Sequence, residues 1–285
     1  MTKRSGYRYG RQPPVFWCAG AGFALDLVIS PKGAAEPLSK SQPIFNVPAV
    51  VVLLVAVCVA VHAVRQVLPV EENFHLTMLL AFIPARLGPT VYDLPGGIVA
   101  RYTSFITHLF VHGDWMHLGV NSAWLLAMGT PVARRTSILS FLALFFLCGI
   151  AGAAFYTAVN GTIVALLVGA SGAISGLMGA AFRFLYSGMD EGPRGFAEAT
   201  RYGPLTSLGE TFRDRRIMTS IIAWSLLNVL LAFGAAGLTD AGGIAWEAHM
   251  GGFFAGLLLY GWFDRPPARP PLDGRELYPE PDAHA

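Results

Sequence analysis

The chain has 285 residues, of which 54% are hydrophobic and only 13% are charged. This balance excludes an ordinary soluble domain and predicts a membrane protein. A net charge of +2, with no run of five or more like charges, excludes nucleic acid as a partner.

The N-terminal stretch, residues 1–47, is predicted to be a flexible cytoplasmic tail. It carries six Lys and Arg residues interrupted by prolines, and its one apolar patch, 15–29, contains Asp26. An Asp in the middle of a bilayer costs about 3 kcal/mol, which disfavours a membrane span there. No compact apolar core follows Lys3 and Arg4, so no cleaved signal peptide is expected.

Six apolar stretches further along the chain predict transmembrane helices. The first begins at Pro48 and runs for about 17 residues without a full charge, which is enough to cross a bilayer. The predicted spans are 48–64, 115–132, 138–159, roughly 164–186, 217–238 and 244–263. Between the first two spans, the apolar run 74–84 is too short to cross and contains Pro84, so residues 70–114 are expected to form a long interfacial loop. These features predict an all-α membrane domain of six transmembrane helices over residues 48–263.

The distribution of positive charge predicts the orientation of this domain. With the N-terminus inside, seventeen of the twenty Lys and Arg residues lie on the cytoplasmic side, as the positive-inside rule requires. Both termini are then cytoplasmic, and we expect a multi-pass protein of a bacterial cell (inner) membrane. The Pro-rich and acidic stretch 264–285 cannot bury a core, which predicts a disordered C-terminal tail.

This orientation brings four polar residues to one depth. Spans two, four and six all begin at the outer face, and near their starts lie His117, Asn121, Ser171 and His249. At about 1.5 Å per residue, all four fall within the outer third of the hydrocarbon core. Ionisable residues in a membrane usually face a cavity or a partner, which favours a functional site. Separate hydrogen bonds between helices are the structural alternative.

Ser171 is the candidate nucleophile of this layer, and a serine needs an adjacent base, for which His249 is the candidate. Small-residue seams follow both positions, formed by Gly172 and Gly176 in span four and by Gly252 and Gly256 in span six. Such seams commonly indicate only helix packing, but here they would also bring the serine and the histidine together. Glu247 points to a different helix face from His249 and is interpreted as a solvated interfacial carboxylate, so a Ser–His dyad is predicted.

These residues resemble the rhomboid family of intramembrane serine proteases. The resemblance covers roughly residues 48–263 and rests on three motifs, His117-x-x-x-Asn121, Gly169-Ala-Ser171-Gly172 and Ala248-His249-x-Gly251-Gly252. It implies hydrolysis of peptide bonds in or near transmembrane segments, so the implied partners are transmembrane protein substrates and the lipid bilayer. Ser171 would be the nucleophile and His249 the base. The oxyanion would be held by His117, Asn121 and the Ser171 N–H.

The sequence departs from the family pattern in two features. Thr103 and Ser104 take the place of a Trp-Arg pair found in many bacterial members, and Ser175 takes the place of a Tyr on which the catalytic His often stacks. The first departure concerns how the long loop is anchored, and the second concerns how His249 is held in its reactive orientation. Asn228, in span five, falls where the family's lateral opening would lie.

A row of histidines in the long loop could be read as a metal site, formed by His108, His112 and His117. The spacing is loose and no acidic ligand accompanies the row, so neither a metal nor a cofactor is expected. The alternative function is a rhomboid-like protein that binds or routes membrane helices without cutting them, which the presence of both Ser171 and His249 disfavours. A transporter would instead carry charged or broken helices at mid-membrane with repeat symmetry.

Overall fold

The computed structural model describes residues 47–89, 93–189, 192–235 and 245–269, which form a mostly helical fold. The helices are α1 (Ala49–Val67), α2 (Val70–Leu80), α3 (Gly97–Thr107), α4 (Trp115–Trp124), α5 (Thr130–Ala133), α6 (Ile138–Asn160), α7 (Ser171–Phe182), α8 (Gly192–Tyr202), α9 (Leu208–Arg213), α10 (Arg215–Ala235) and α11 (Trp246–Leu259). Within these ranges the only β pairing is an isolated bridge between Phe82 and Leu167. The predicted tail 1–47 lies outside the described residues except for its last position.

Among the described helices, three are long and apolar enough to cross a membrane. They are α1, α6 and residues Arg215–Ala232 of α10, with mean hydropathies of 2.3, 2.4 and 1.3. Their outer faces expose large apolar side chains such as Leu53 and Leu147, which suits contact with lipid. α6 begins after Ser137, whose hydroxyl accepts a hydrogen bond from the Ser140 N–H at 3.2 Å and so caps the helix.

The predicted second span is one continuous helical stretch, but it is not uniformly α-helical. α4 passes at Leu125–Gly129 into a π-helical segment, and α5 completes the stretch. Pro131 lies in the first turn of α5, and its missing N–H cannot continue the α-helical bonding of the preceding turn. His117 and Asn121 both lie in α4, before this distortion.

α7 is the central helix, because every residue from Gly172 to Ala181 is buried. The predicted start of this span at residue 164 is wrong, since the helix begins at Ser171. The apolar residues before it run as an irregular strand-like segment, in which Leu167 exchanges two backbone hydrogen bonds with Phe82 at 2.9 and 3.0 Å. This long-range pairing gives the backbone an alternative to the helix and leaves Ser171 at the helix start.

The connection between α1 and α4 folds into two short helices, α2 and α3, joined through a 3-10 turn at Pro84–Leu87. Arg86 lies at its centre and is almost fully buried. Its guanidinium donates to the carbonyl oxygens of Ala81 at 2.6 Å and Pro95 at 3.1 Å, and also to that of Met78. One side chain therefore ties the end of α2 to the turn before α3, and it supplies a donor to the buried carbonyl of Ala81.

The packed part of the chain extends at least to Asp264, the first residue of the predicted C-terminal tail. Its carboxylate pairs with the buried guanidinium of Arg135 at 2.8 Å and accepts a hydrogen bond from the Tyr260 hydroxyl at 2.9 Å. Arg135 also donates to the carbonyl oxygens of Thr200 and Gly203. Residues 270–285, where most of that tail was predicted, lie outside the described residues.

Candidate active site

Ser171 is the first residue of α7 and is partly exposed, whereas the ten residues after it are buried. The turn before it depends on Gly169, which has φ +110°, a conformation that side chains other than glycine rarely adopt. Ala170, at the N-cap, supplies no side-chain hydrogen bond to the helix. The first N–H groups of α7 therefore have no acceptor within the helix, and the Ser171 N–H is one of them.

His117 lies directly beside this turn. A Cβ added at Gly169 would lie 2.7 Å from His117 Nε2 and 3.8 Å from Ser171 Oγ. Both side-chain atoms therefore lie next to Gly169. The backbone of His117 is fixed by Asp114, whose carboxylate accepts its N–H at 2.7 Å. The Gly113 N–H donates to His117 Nδ1 at 3.4 Å. This bond assigns the ring proton to Nε2, so the ring presents a donor on the side of the nucleophile.

Asn121 lies one turn after His117 and is buried. Its Nδ2 donates to the His117 carbonyl oxygen at 2.9 Å, while its Oδ1 accepts no bond from the described residues. The side chain lines a narrow cleft together with His112, Ala170 and Ile174. An amide nitrogen carries two hydrogens, and the bond to the His117 carbonyl uses one of them.

His249 lies in the first turn of α11, and this turn packs against the start of α7. A Cβ added at Gly172 would lie 3.2 Å from the carbonyl oxygen of Ala248. The residue after Ser171 therefore touches the residue before His249. The His249 ring is partly buried, and its Nδ1 lies 2.7 Å from Oδ1 of Asn228 on α10.

The seam between α7 and α11 continues along both helices as backbone contact. A Cβ at Gly252 would lie 1.9 Å from the Gly172 carbonyl oxygen, and a Cβ at Gly256 would lie 1.8 Å from that of Gly176. At Gly176 an added Cβ would lie 2.3 Å from the Cβ of Cys148 on α6. No side chain fits at these positions, so the three helices approach as closely as their backbones allow.

Comparison with known proteins agrees with this arrangement. The family model of the Rhomboid domain matches residues 99–266, more than half of the chain. The chain belongs to the rhomboid family. This rhomboid is also similar to "Rhomboid protein 1, mitochondrial" of Saccharomyces cerevisiae, with 28% identity over 175 residues, which cover 58% of this chain and 42% of the yeast protein. The chain thus spans less than half the length of that relative.

Two general properties of the family agree with the described residues. Rhomboids are integral membrane proteins, which fits the apolar helices α1, α6 and α10. They are in general intramembrane serine proteases, and this chain has a serine, two histidines and an asparagine around the start of α7. The predicted membership in this family is therefore confirmed.

The carboxylate of Glu247 differs from its prediction as a solvated group. Glu247 is buried, with 8% of its surface exposed, and its Oε1 accepts a hydrogen bond from Asn160 Nδ2 at 3.0 Å. The bond links the start of α11 to the end of α6 and compensates the carboxylate for lost water. Since its partner is Asn160, Glu247 is not the orienting group of the rhomboid's His249.

The three histidines of the candidate metal row lie at different places, with His108 and His112 before α4 and His117 within it. His108 Nδ1 lies 2.7 Å from the Ser104 carbonyl oxygen, and the rings of His112 and His117 meet edge to face at 5.2 Å. Among the described residues, no group of three or more His, Cys, Asp or Glu side chains is arranged to hold a metal ion.

Asn228 is the residue of this site that the sequence pattern did not assign. It lies 21 positions before His249 on a different helix, so no local spacing connects the two. The available signal was an amide within an otherwise apolar helix, since polar groups in a membrane commonly have a partner. Ser175, one turn after Ser171, is buried and offers no aromatic ring to His249.

Proposed function

We propose that this rhomboid is an intramembrane serine endopeptidase that hydrolyses peptide bonds in or near the transmembrane segments of membrane proteins. The observation that carries the proposal is the contact between Gly172 and Ala248, which joins the start of α7 to the first turn of α11. It brings the neighbours of Ser171 and His249 together, which supports a Ser–His pair at the start of a helix whose first residue, Ser171, is partly exposed. A serine beside a base is the minimum that nucleophilic hydrolysis of an amide needs.

In the proposed reaction, Ser171 Oγ attacks the scissile carbonyl carbon while His249 Nε2 takes the hydroxyl proton. The tetrahedral intermediate then collapses, the C–N bond breaks, and His249 returns the proton to the leaving amine. A water molecule next attacks the Ser171 ester, again with His249 as base, which releases the acid product and the free serine. Neither step requires a metal or cofactor.

The oxyanion of the tetrahedral intermediate would be held by Nε2–H of His117, the second amide hydrogen of Asn121 and the Ser171 N–H. The proposal is supported by the position of the Ser171 N–H and of His117 Nε2 at the start of α7, where the helix dipole favours negative charge, and by the cleft that Asn121 lines with Ala170. Each preorganised donor of this kind contributes about 3 kcal/mol to lowering the barrier. His117 is the best supported, because the hydrogen bond from Gly113 assigns its proton to Nε2.

The proposal includes six membrane spans with both termini in the cytoplasm, in a bacterial cell membrane. It is supported by the positive charge of the connections between alternate helices. Reporter fusions after residues 68, 161 and 264 test this topology. The first two should be found outside and the third inside, and the opposite pattern would contradict it.

Covalent labelling with a fluorophosphonate tests the proposed chemistry, because the reagent bonds only to an activated serine. The purified protein in detergent should be labelled, and Ser171→Ala and His249→Ala should each abolish both labelling and cleavage of a transmembrane substrate. Ser220→Ala is the matched control, because its hydroxyl bonds only to its own helix at the Arg216 carbonyl. An unlabelled wild-type protein beside a reactive rhomboid control would overturn the proposal. Intact substrate that co-purified with it would then favour the alternative, a rhomboid-like protein that binds or routes helices.

A further inference from the structure

We propose that Asn228 is a positioning residue of this site, which holds His249 in the tautomer that leaves Nε2 free to act as the base. The inference rests on the proposed protease function. It adds a residue of α10 to a site that the sequence predicted to be a Ser–His dyad alone. The contact that motivates it joins Asn228 Oδ1 to His249 Nδ1 at 2.7 Å.

The orientation of the Asn228 amide follows from its second partner. Its Nδ2 donates to the carbonyl oxygen of Trp224 at 2.8 Å. A carbonyl oxygen can only accept a hydrogen bond, so the amide nitrogen must face Trp224 and the amide oxygen must face His249. A flipped amide would set its oxygen against the Trp224 carbonyl oxygen and lose that bond.

The amide orientation in turn selects the tautomer of His249. Asn228 Oδ1 is an acceptor only, so His249 Nδ1 must carry the ring proton and Nε2 must carry the lone pair. General-base catalysis at Ser171 needs a ring nitrogen with a free lone pair, and with Nδ1 bonded to Asn228 that nitrogen is Nε2. When Nε2 takes the proton, the ring becomes a cation, and the bond from Nδ1–H to Asn228 becomes charge-assisted and stronger.

Burial and packing fix this contact in place. Asn228 has only 9% of its surface exposed, so water competes poorly for its oxygen. One turn away, the Trp224 ring stacks on Phe253 of α11 with centroids 4.3 Å apart. Trp224 and Asn228 are four residues apart on α10, and His249 and Phe253 are four apart on α11. Two contacts at matching spacing therefore hold the two antiparallel helices in one register.

A purely structural reading would make the contact one of many hydrogen bonds between membrane helices. That reading predicts a loss of stability on mutation without a selective effect on the chemical step. Positioning predicts a loss in kcat with KM almost unchanged, because the proton transfer occurs after the substrate has bound. It also predicts that another acceptor at the same position restores the rate.

The experiment compares Asn228→Ala, Asn228→Asp and the control Ser220→Ala with wild type, all purified in one detergent. For each we measure kcat and KM on a transmembrane substrate, fluorophosphonate labelling and Tm. Asn228→Ala should lower kcat about 10- to 100-fold, since it leaves the buried Nδ1–H without an acceptor. Asn228→Asp should recover most of that loss, because its carboxylate also accepts from Nδ1. Ser220→Ala should behave as wild type.

The outcomes separate this inference from the proposed function. If wild type cleaves and is labelled while Asn228→Ala keeps the wild-type kcat, the positioning role is overturned and the protease function stands. A well-folded Asn228→Asp that is as slow as Asn228→Ala also overturns it. If wild type neither cleaves nor is labelled, the proposed function itself fails. Should Asn228→Ala not fold, the kcat of Asn228→Asp relative to wild type decides.

Discussion

Replacing Gly252 by Ala should separate the two central helices and slow cleavage strongly. A Cβ there would lie 1.9 Å from the carbonyl oxygen of Gly172, whereas two such atoms need about 3.5 Å. The backbones would have to move apart by roughly 1.5 Å, since neither atom belongs to a flexible side chain. His249 lies one turn before Gly252, and Ser171 adjoins Gly172, so the movement changes the distance between base and nucleophile. A displacement of about 1 Å costs about 100-fold in rate.

The assay measures kcat on a transmembrane substrate together with Tm for wild type, Gly252→Ala and Gly119→Ala. Gly119 is the matched control, because it is a helical glycine of α4 where an added Cβ would meet nothing within 4 Å. We expect Gly252→Ala to lose about 100-fold in kcat and about 1–3 kcal/mol in stability. Gly119→Ala should keep both values. A Gly252→Ala protein with wild-type kcat and Tm would refute the backbone contact between α7 and α11.

Three further changes test other parts of the structure. Gly169→Ala should abolish fluorophosphonate labelling and leave the helix content measured by circular dichroism unchanged. The alanine would have to adopt φ +110°, and its Cβ would lie 2.7 Å from His117 Nε2. Normal labelling would contradict this turn. Arg86→Ala should lower Tm, because each buried carbonyl oxygen left without a donor costs about 1–3 kcal/mol of stability. An unchanged Tm would contradict the anchoring role of Arg86. Hydrogen bonding with Ser207 holds the pKa of Glu210 below its ordinary value, so the stabilisation of α9 is complete above that ordinary value and is lost as the pH falls through the lowered pKa. Ser207→Ala should raise the pKa of Glu210 in an NMR titration, and an unshifted pKa would contradict the reciprocal hydrogen bonds between Ser207 and Glu210 at the start of α9.

The long apolar helices could be predicted because burial in lipid acts on each segment by itself. Helices α1, α6 and α10 begin and end within a few residues of the predicted spans. The start of α7 could not be predicted in this way. Residues 164–168 are as apolar as the helix that follows, and their backbone bonds to a residue about eighty positions earlier, Phe82. Hydropathy reports how apolar a segment is and not which partner its N–H groups find.

The residue types of the candidate site could be named from the sequence, but their orientation could not. The common depth stays a prediction, because it counted a helical rise of about 1.5 Å per residue from residue 164, whereas α7 begins at Ser171 itself. The rotation of the His249 ring depends on Asn228, and the proton of His117 depends on Gly113. Both partners are set by the way the chain folds in space. The anchoring of the long loop by Arg86 escaped prediction for the same reason, since its three carbonyl acceptors are fixed by the loop conformation.

A serine and a histidine on two helices need two kinds of constraint before they can exchange a proton. The glycine seam sets how far α7 lies from α11, because backbone meets backbone at Gly172 and Gly252. It leaves the His249 ring free to turn about its own bonds, and a turned ring presents the wrong atom. The amide of Asn228 removes that freedom from the opposite side, from α10. Distance and rotation are therefore controlled by different helices, so the proposed reaction depends on the position of α10 although α10 carries neither the nucleophile nor the base.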